Sequence, residues 1–119
     1  MTATSLAAQT LRVEGRINVS PVAGGFLVED GGGNGARGMW CAASEYARRV
    51  LGASGTQRIY VTGPLTSSNR RAPVRFSLDP GGTTPSRVTI LGVSIYTAGA
   101  SLSVDHAIGF CADFRLSHG

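Results

Sequence analysis

Lysine is absent from this sequence, and acidic, aromatic and thiol side chains are few. The eleven cationic side chains are all arginines, and with seven acidic residues they give a formal net charge of +4. A Walker-type phosphate loop requires a lysine, so the composition excludes one. The arginines are spread from Arg12 to Arg115 without interleaved aromatic residues. A base-stacking platform is therefore not indicated, and nucleic acid is not an expected partner.

Cysteine is represented only by Cys41 and Cys111. Two thiols cannot complete a tetrahedral zinc site, and no CxxC or HxxxH spacing supplies further ligands, so no metal site is predicted. We expect two small buried apolar residues, while a disulfide stays open because two positions alone do not determine a pairing. No apolar run of about eighteen residues occurs, and residues 1–9 lack the features of a signal peptide, so no membrane contact is expected.

What is abundant favours strands. Seventeen glycines accompany many Val, Ile and Thr residues among the 119 positions, a composition that suits short strands joined by tight turns. Apolar and polar residues alternate in several segments, most cleanly at Val74, Phe76 and Leu78. We predict a single mostly β domain over residues 1–119, with residues 1–9 as an N-terminal arm. Six to eight short strands, the last over residues 108–116, are typical of a β-sandwich or jelly roll.

One α-helix is predicted at about residues 39–51, inserted between the second and third strands. Trp40, Ala43 and Ala47 recur at three- and four-residue steps and form an apolar stripe. Gly52 follows as the expected helix stop. A helix of this length is marginal alone, so we expect Trp40 to be buried against the sheet.

A glycine-rich segment precedes this helix and matches a nucleotide-binding pattern. Residues 33–38 read Gly-Asn-Gly-Ala-Arg-Gly, which fits GxGxxG between a strand and a helix. The strand after the helix offers no acidic residue for a ribose hydroxyl, and the remaining chain alternates strands and turns. We interpret residues 31–38 as a flexible or subunit-contacting loop and predict no cofactor.

Asp105-His106 resembles half of a hydrolytic triad, with Ser101 and Ser103 nearby. Residues this close on a strand alternate between its faces and cannot converge as a triad must. No two carboxylates stand at a spacing that indicates glycosidase chemistry. The sequence therefore predicts a protein that is not an enzyme, with no catalytic, cofactor-binding or metal-binding residues.

A resemblance to known proteins lies in the helix and the strand after it. These segments read Met39-Trp-Cys-Ala-Ala-Ser-Glu-Tyr-Ala-Arg-Arg-Val-Leu-Gly and Gln57-Arg-Ile-Tyr-Val. They resemble small virion structural proteins of alphaproteobacterial tailed phages, and in particular the head spike base proteins of gene transfer agents. The resemblance implies a jelly-roll-like, non-enzymatic subunit in a homo-oligomeric ring, such as a pentamer, on a capsid vertex. The implied partners are the capsid protein and a fibre or receptor-binding protein, in a phage-like particle assembled in the bacterial cytoplasm.

Exposed arginines are the candidate interface residues. Arg70 and Arg71 lie in an irregular segment, residues 63–72, where a forked guanidinium can pair with a carboxylate of a neighbour. Arg48 and Arg49 form a second doublet in the predicted helix. We expect both doublets to contact other subunits of the particle.

The alternative hypothesis is a carbohydrate-binding β-sandwich. It needs an exposed aromatic side chain as a stacking platform, and Trp40, Tyr60 and Tyr96 are the candidates. Trp40 belongs to the apolar stripe of the helix, which favours a place in the core. A ring in solution would support assembly, whereas a monomer that binds glycan would support this alternative.

Overall fold

The computed structural model describes residues 10–13, 17–30 and 34–118, and in the last helix it describes side chains as far as residue 112. The predicted N-terminal arm and Gly31 to Gly33 lie outside these ranges. The described residues form seven strands and three helices. The strands are β1 (Leu11–Val13), β2 (Ile17–Val22), β3 (Gly25–Glu29), β4 (Arg58–Gly63), β5 (Val74–Ser77), β6 (Ser86–Arg87) and β7 (Ala100–Ser103). The helices are α1 (Gly35–Arg49), α2 (Leu91–Ser94) and α3 (Val104–His118).

The described strands belong to one mixed sheet with the order β1-β2-β3-β5-β4-β7-β6. Neighbouring strands are antiparallel except β6 and β7, which are parallel. A two-residue turn joins β2 to β3, and its Gly24 has a φ of 78°, which glycine adopts without steric cost. Within the described ranges, β1 and β6 are the two edges of the sheet.

The two faces of the sheet differ because successive side chains of a strand point to opposite sides. One face is apolar, and α1 packs on it while α3 packs on α1. The buried residues of this inner face are Val13, Ile17, Val19, Phe26, Val28, Ile59, Val61, Val74, Phe76 and Leu102. The opposite face is polar and solvent-accessible, and we call it the open face.

Trp40 anchors α1 on the inner face. Its side chain is 0% exposed, which confirms the predicted burial. The indole meets the Phe76 ring edge-on at a centroid distance of 5.1 Å, and its Nε1–H donates to Ser94 Oγ over 2.8 Å. One turn and a half further on, Tyr46 packs against Phe26 at 4.7 Å, and burial raises the pKa of its phenol. The helix is therefore held by aromatic packing along its length.

The inserted helix is confirmed, with different bounds. It begins at Gly35, four residues earlier than predicted, and ends at Arg49. Gly35 and Gly38 concealed its first turn, because glycine is a poor helix former. Gly52, with a φ of 70°, lies just beyond the end of the helix and permits the chain to turn away.

The predicted closing strand over residues 108–116 is wrong, since these residues belong to α3. Val104, Ala107 and Cys111 are buried at helical spacing, a stripe that the alternation of apolar residues further along obscured. Ser103 Oγ accepts a hydrogen bond from His106 N–H over 3.1 Å, as an N-cap residue does, so the helix starts directly after β7.

The β-rich class and the number of strands are confirmed, and the described strands form a single sheet. A sandwich or jelly roll packs two sheets face to face, whereas here helices cover the inner face. The sequence pattern of residues 87–97 predicts one bent strand, with Ile90 and Val93 among its alternating apolar residues. In the structure only Arg87 of this segment belongs to the sheet, in β6. Residues 91–94 form α2, and Ser94 is the hydrogen-bond partner of Trp40.

The two cysteines form a disulfide in the structure, a pairing that the sequence left open. Cys41 of α1 and Cys111 of α3 make a disulfide with a Cα–Cα distance of 4.8 Å. Both residues are buried, as expected. The bond connects α3 to the helix that rests on the sheet, and it closes a long loop because 70 positions separate the two residues.

The substitution Trp40→Ala should lower the free energy of unfolding by about 3–5 kcal/mol, because it removes a fully buried aromatic side chain. Ser94→Ala should cost about 1–3 kcal/mol, since it leaves the buried indole N–H without its acceptor. Urea denaturation followed by circular dichroism measures both. Tyr96→Ala serves as the control, because that aromatic residue is 37% exposed. An unchanged midpoint for Trp40→Ala would contradict the anchoring role.

The double substitution Cys41→Ala and Cys111→Ala should lower the free energy of unfolding by about 2–4 kcal/mol, because the unfolded chain gains the entropy that the cross-link removes. Each single variant should lose a comparable amount, since one sulfur cannot bond alone. Titration of thiols in the unfolded, unreduced protein should find none. Two titratable thiols per chain would show that the bond is absent in solution.

Candidate functional site

The open face carries a group of arginines around Tyr60. Alternation along β4 places Arg58, Tyr60 and Thr62 on this face, opposite the buried Ile59 and Val61. Tyr60 lies beside Ser101 of β7, which in turn lies beside Arg87 of β6. On the other side Tyr60 faces Ser77, two residues from Arg75. Strand spacing then puts the Cα atoms of Arg58, Arg75 and Arg87 about 7–10 Å from that of Tyr60.

Arg58 is held in a fixed orientation by β7. Its Nε–H donates to Ser101 Oγ over 3.0 Å, and its Nη2 donates to the Ser101 carbonyl over 3.1 Å. The buried Ser101 hydroxyl donates in turn to the Ser86 carbonyl over 2.9 Å, which connects the network to β6. Among the described residues, no carboxylate pairs with Arg58, Arg75 or Arg87.

Arg75 opens onto a concavity of about 500 Å³ at one end of the open face. A register shift in β4 brings Gly63 opposite Arg75, and glycine is required there because an added Cβ would lie 2.9 Å from Arg75 Cβ. Asp79 lies on the far wall, where its Oδ1 accepts from Gly81 N–H over 2.8 Å. The full lining is Gly24, Thr62, Arg75, Ser77, Asp79, Gly81, Gly82 and Thr83.

A second surface lies at the β6 edge of the sheet. An apolar groove of about 300 Å³ runs between this edge and α2, and we call it the edge groove. Its large side chains Ile90 and Val93 are 65% and 51% exposed. The N–H groups of Ser86 and Val88 donate towards β7, so that of Arg87, between them, points away from the sheet. The groove therefore offers apolar contact beside an unpaired backbone donor.

Leu51 is a third exposed apolar residue, at 47%, and it follows the end of α1. The doublet Arg48 and Arg49 stands beside it. Arg48 Nη2 lies 3.2 Å and Arg49 Nη1 3.9 Å from the same carboxylate oxygen of Glu45. Both arginines remain more than half exposed, so their side chains stay accessible to a neighbour.

Arg70 and Arg71 are exposed in the turn between β4 and β5, directly after the isolated bridge that joins Thr66 to Asn69. Neither forms an ion pair within the part of the chain that the structure describes. No described contact connects this doublet with Arg48 and Arg49. An interface role for the two doublets stays a prediction.

The three aromatic residues considered as stacking platforms differ in their exposure to solvent. Trp40 cannot serve as a platform, because it is buried in the core and its indole N–H is bonded to Ser94. Tyr60 is partly buried on the open face, and Tyr96 is partly exposed beside α2. Sequence reasoning placed Trp40 in the core for the right reason, namely its position on the apolar stripe.

The remaining motifs form no site in the described residues. Asp105 and His106 lie in the first turn of α3 rather than on a strand, and the His106 ring packs on Phe110 at 5.6 Å. Ser103 is used as the cap of this helix. Of the GxGxxG pattern, Gly35 and Gly38 lie inside α1, while Gly33 falls outside the described ranges.

The described side chains form no metal-binding cluster. Over residues 10–13, 17–30 and 34–112, no three His, Cys, Asp or Glu side chains come together as metal ligands would. None of the helices in that part of the chain has both the length and the apolar character that crossing a bilayer requires.

Comparison with known proteins gave no match. No protein-family model fits the sequence, and neither the curated proteins nor the solved structures include a significant relative. The function must therefore be argued from the surfaces described above.

Sequence reasoning missed the open-face group and the edge groove. Alternation within β5 did indicate that Arg75 points away from the core, but the grouping with Arg58 and Arg87 depends on strand register. Ile90 and Val93 were interpreted as apolar residues of a bent strand, whereas the structure exposes both beside α2. A short helix in place of that strand has no strong signal in the sequence.

Proposed function

We propose that this protein is a non-enzymatic structural subunit of a phage-like particle and forms the base of a head-vertex spike. The observation that carries the proposal is the presence of two separate exposed apolar surfaces, Leu51 and the edge groove. Large exposed apolar side chains that cluster beside a sheet edge are typical of contacts between proteins. The resemblance of the α1 and β4 segments to head spike base proteins supports the same conclusion.

The two surfaces favour a contact between copies of this chain. Among the described residues, Leu51 is the one strongly exposed large aliphatic side chain outside the groove. The groove lies near the start of α1, because its residue Ser94 is hydrogen-bonded to Trp40. Leu51 follows Trp40 by eleven residues, which corresponds to about 16 Å along the helix direction. The two apolar surfaces are therefore well separated on one molecule. Leu51 of one copy can therefore enter the edge groove of the next. Such a heterologous contact closes into a ring when its rotation matches, as a fivefold vertex requires.

The strength of one contact indicates why a ring is favoured over a pair. Fully burying a Leu, Ile or Val side chain contributes about 1.5–3 kcal/mol, so three side chains that are about half exposed contribute roughly 3 kcal/mol. Association costs about 4–15 kcal/mol in lost freedom. Each subunit of a closed ring makes two contacts, and a capsid surface that holds the subunits raises their effective concentration further.

The buried disulfide is compatible with this location. Disulfides persist at virion surfaces and are rare in the reducing cytosol. A subunit assembled in the bacterial cytoplasm would carry Cys41 and Cys111 as thiols, and the bond would form once the particle reaches oxidising surroundings. The proposal therefore places the oxidised form on the finished particle.

The substitutions Leu51→Asp and Ile90→Asp should each convert the wild-type ring into monomers, because each puts a charge into one half of the same apolar contact. A mixture of the two variants should form dimers and nothing larger, since only one intact Leu51 and one intact groove can meet. Native mass spectrometry measures all three states.

Asn18→Asp is the matched control, because it adds the same charge at an exposed position with little change of shape. It should leave the ring intact. A wild-type protein that is monomeric at its highest soluble concentration, or a ring that survives Leu51→Asp, would contradict this assembly contact.

Replacing Arg70 and Arg71 with Glu should reduce the fraction of subunits recovered on purified particles, because reversed charges repel carboxylates of the partner. The isolated domain should keep its circular dichroism spectrum, since both side chains are exposed. Replacing both arginines with Lys keeps the positive charge but removes the planar, forked guanidinium groups. This variant should be recovered on particles to an intermediate degree. Wild-type incorporation of the Glu variant would remove these two arginines from the interface.

A carbohydrate-binding module receives less support. Its strongest candidate platform, Trp40, is buried, and Tyr60 is only partly accessible. Tyr96 is the remaining candidate, and it stands beside α2 without a described concavity that includes it.

A further inference from the structure

The open face carries three arginines that are grouped on neighbouring strands. Arg58, Arg75 and Arg87 surround Tyr60, and we call these four residues the arginine face. Each guanidinium lacks a carboxylate partner in the described ranges. This surface adjoins the edge groove, because Arg87 lines both. The inference rests on the guanidinium groups and not on the apolar side chains of the ring contact, so it does not depend on ring assembly.

The guanidinium of Arg58 is preorganised to bind an anionic group. Two of its nitrogens are held by Ser101, which fixes the plane of the fork and leaves Nη1 without a described acceptor. A guanidinium whose orientation is already fixed loses little entropy when it binds a carboxylate or phosphate. Charge-assisted bonds of this kind are about twice as strong as neutral ones.

We propose that the arginine face docks an acidic segment of a partner protein. Charge complementarity selects an anion, and the arrangement favours carboxylates on a polypeptide over a nucleic acid. Glu29 and Asp79 also lie at the open face, so its positive part is limited to the arginine face. A short acidic segment can contact that part alone, whereas a longer, continuous phosphate backbone would also meet these carboxylates. Tyr60 is the one aromatic residue that the described strands place on this face, too few for successive bases to stack.

A second copy of this chain is a poor occupant of the same face. Two arginine faces brought together would place six guanidinium groups in one interface, and the whole chain already has a formal net charge of +4. The occupant is therefore a different protein. Arg75 and Arg87 are three strand intervals apart, roughly 15 Å, so the acidic segment needs several carboxylates spread over that distance.

The test uses a fluorescently labelled peptide of ten glutamates as the probe, with fluorescence anisotropy at physiological salt. All proteins carry Leu51→Asp, so that ring formation does not contribute to the signal. The pair Arg75→Gln and Arg87→Gln should weaken binding at least tenfold. The matched pair Arg12→Gln and Arg37→Gln removes the same charge from two exposed arginines outside the arginine face and should change binding less than twofold.

A second measurement uses the protein without the arginine substitutions. Amide NMR shifts on titration with the peptide should change for residues of β4, β5, β6 and β7 around Tyr60, and not for α1 or α3. Absence of saturable binding would overturn the proposal, as would equal weakening by both pairs of substitutions. Tighter binding of a ten-nucleotide oligothymidylate than of the peptide would assign the face to nucleic acid instead.

Discussion

The packing of Trp40 between the sheet and α2 is the interaction on which the rest of the structure depends. Its ring fills the inner face against Phe76, and its N–H requires the Ser94 hydroxyl as a buried acceptor. The hydrogen bonds from Leu65 N–H to the Ile95 carbonyl and from Gly99 N–H to the Val61 carbonyl attach the same segment to the rest of the fold. Held in this way, the segment forms α2 beside the sheet edge, and Ile90 and Val93 lie at the surface. The core contact and the edge groove are thus neighbours in one segment of the chain.

Because the helices cover a single face, the other face of the sheet stays in contact with water. The same alternation that buries Ile59 and Val61 presents Arg58 and Tyr60 on the open side. The Cys41–Cys111 bond strengthens the helical layer by attaching α3 to α1. The helical side therefore supplies stability, and the surfaces that we propose for partners lie at the sheet edge and on the open face.

The two proposed surfaces place different demands on a particle. The contact between Leu51 and the edge groove is apolar, so it should depend little on salt. The contact that we propose for the arginine face depends on charge, so its affinity should fall as the ionic strength rises. A subunit with both could form its ring through the first surface and select an acidic neighbour through the second. The exposed doublet Arg70 and Arg71 would add a further charged contact from the loop before β5.

Local pattern alone was sufficient for some features of this protein. The burial of Trp40 and the strands around Val61 and Val74 could be predicted, because each depends on the periodicity of a short segment. The class of fold followed from the same patterns. Residues 108–116 of α3 were mistaken for a closing strand, because the apolar residues from 104 to 116 fit both periods. Packing against α1 selects the helix. The disulfide joins residues that are 70 positions apart, and the arginine face and the edge groove depend on the pairing of β6 with β7, where Ser86 contacts Ser101. Strand register and helix packing decide such contacts, and neither is encoded in any single segment of the chain.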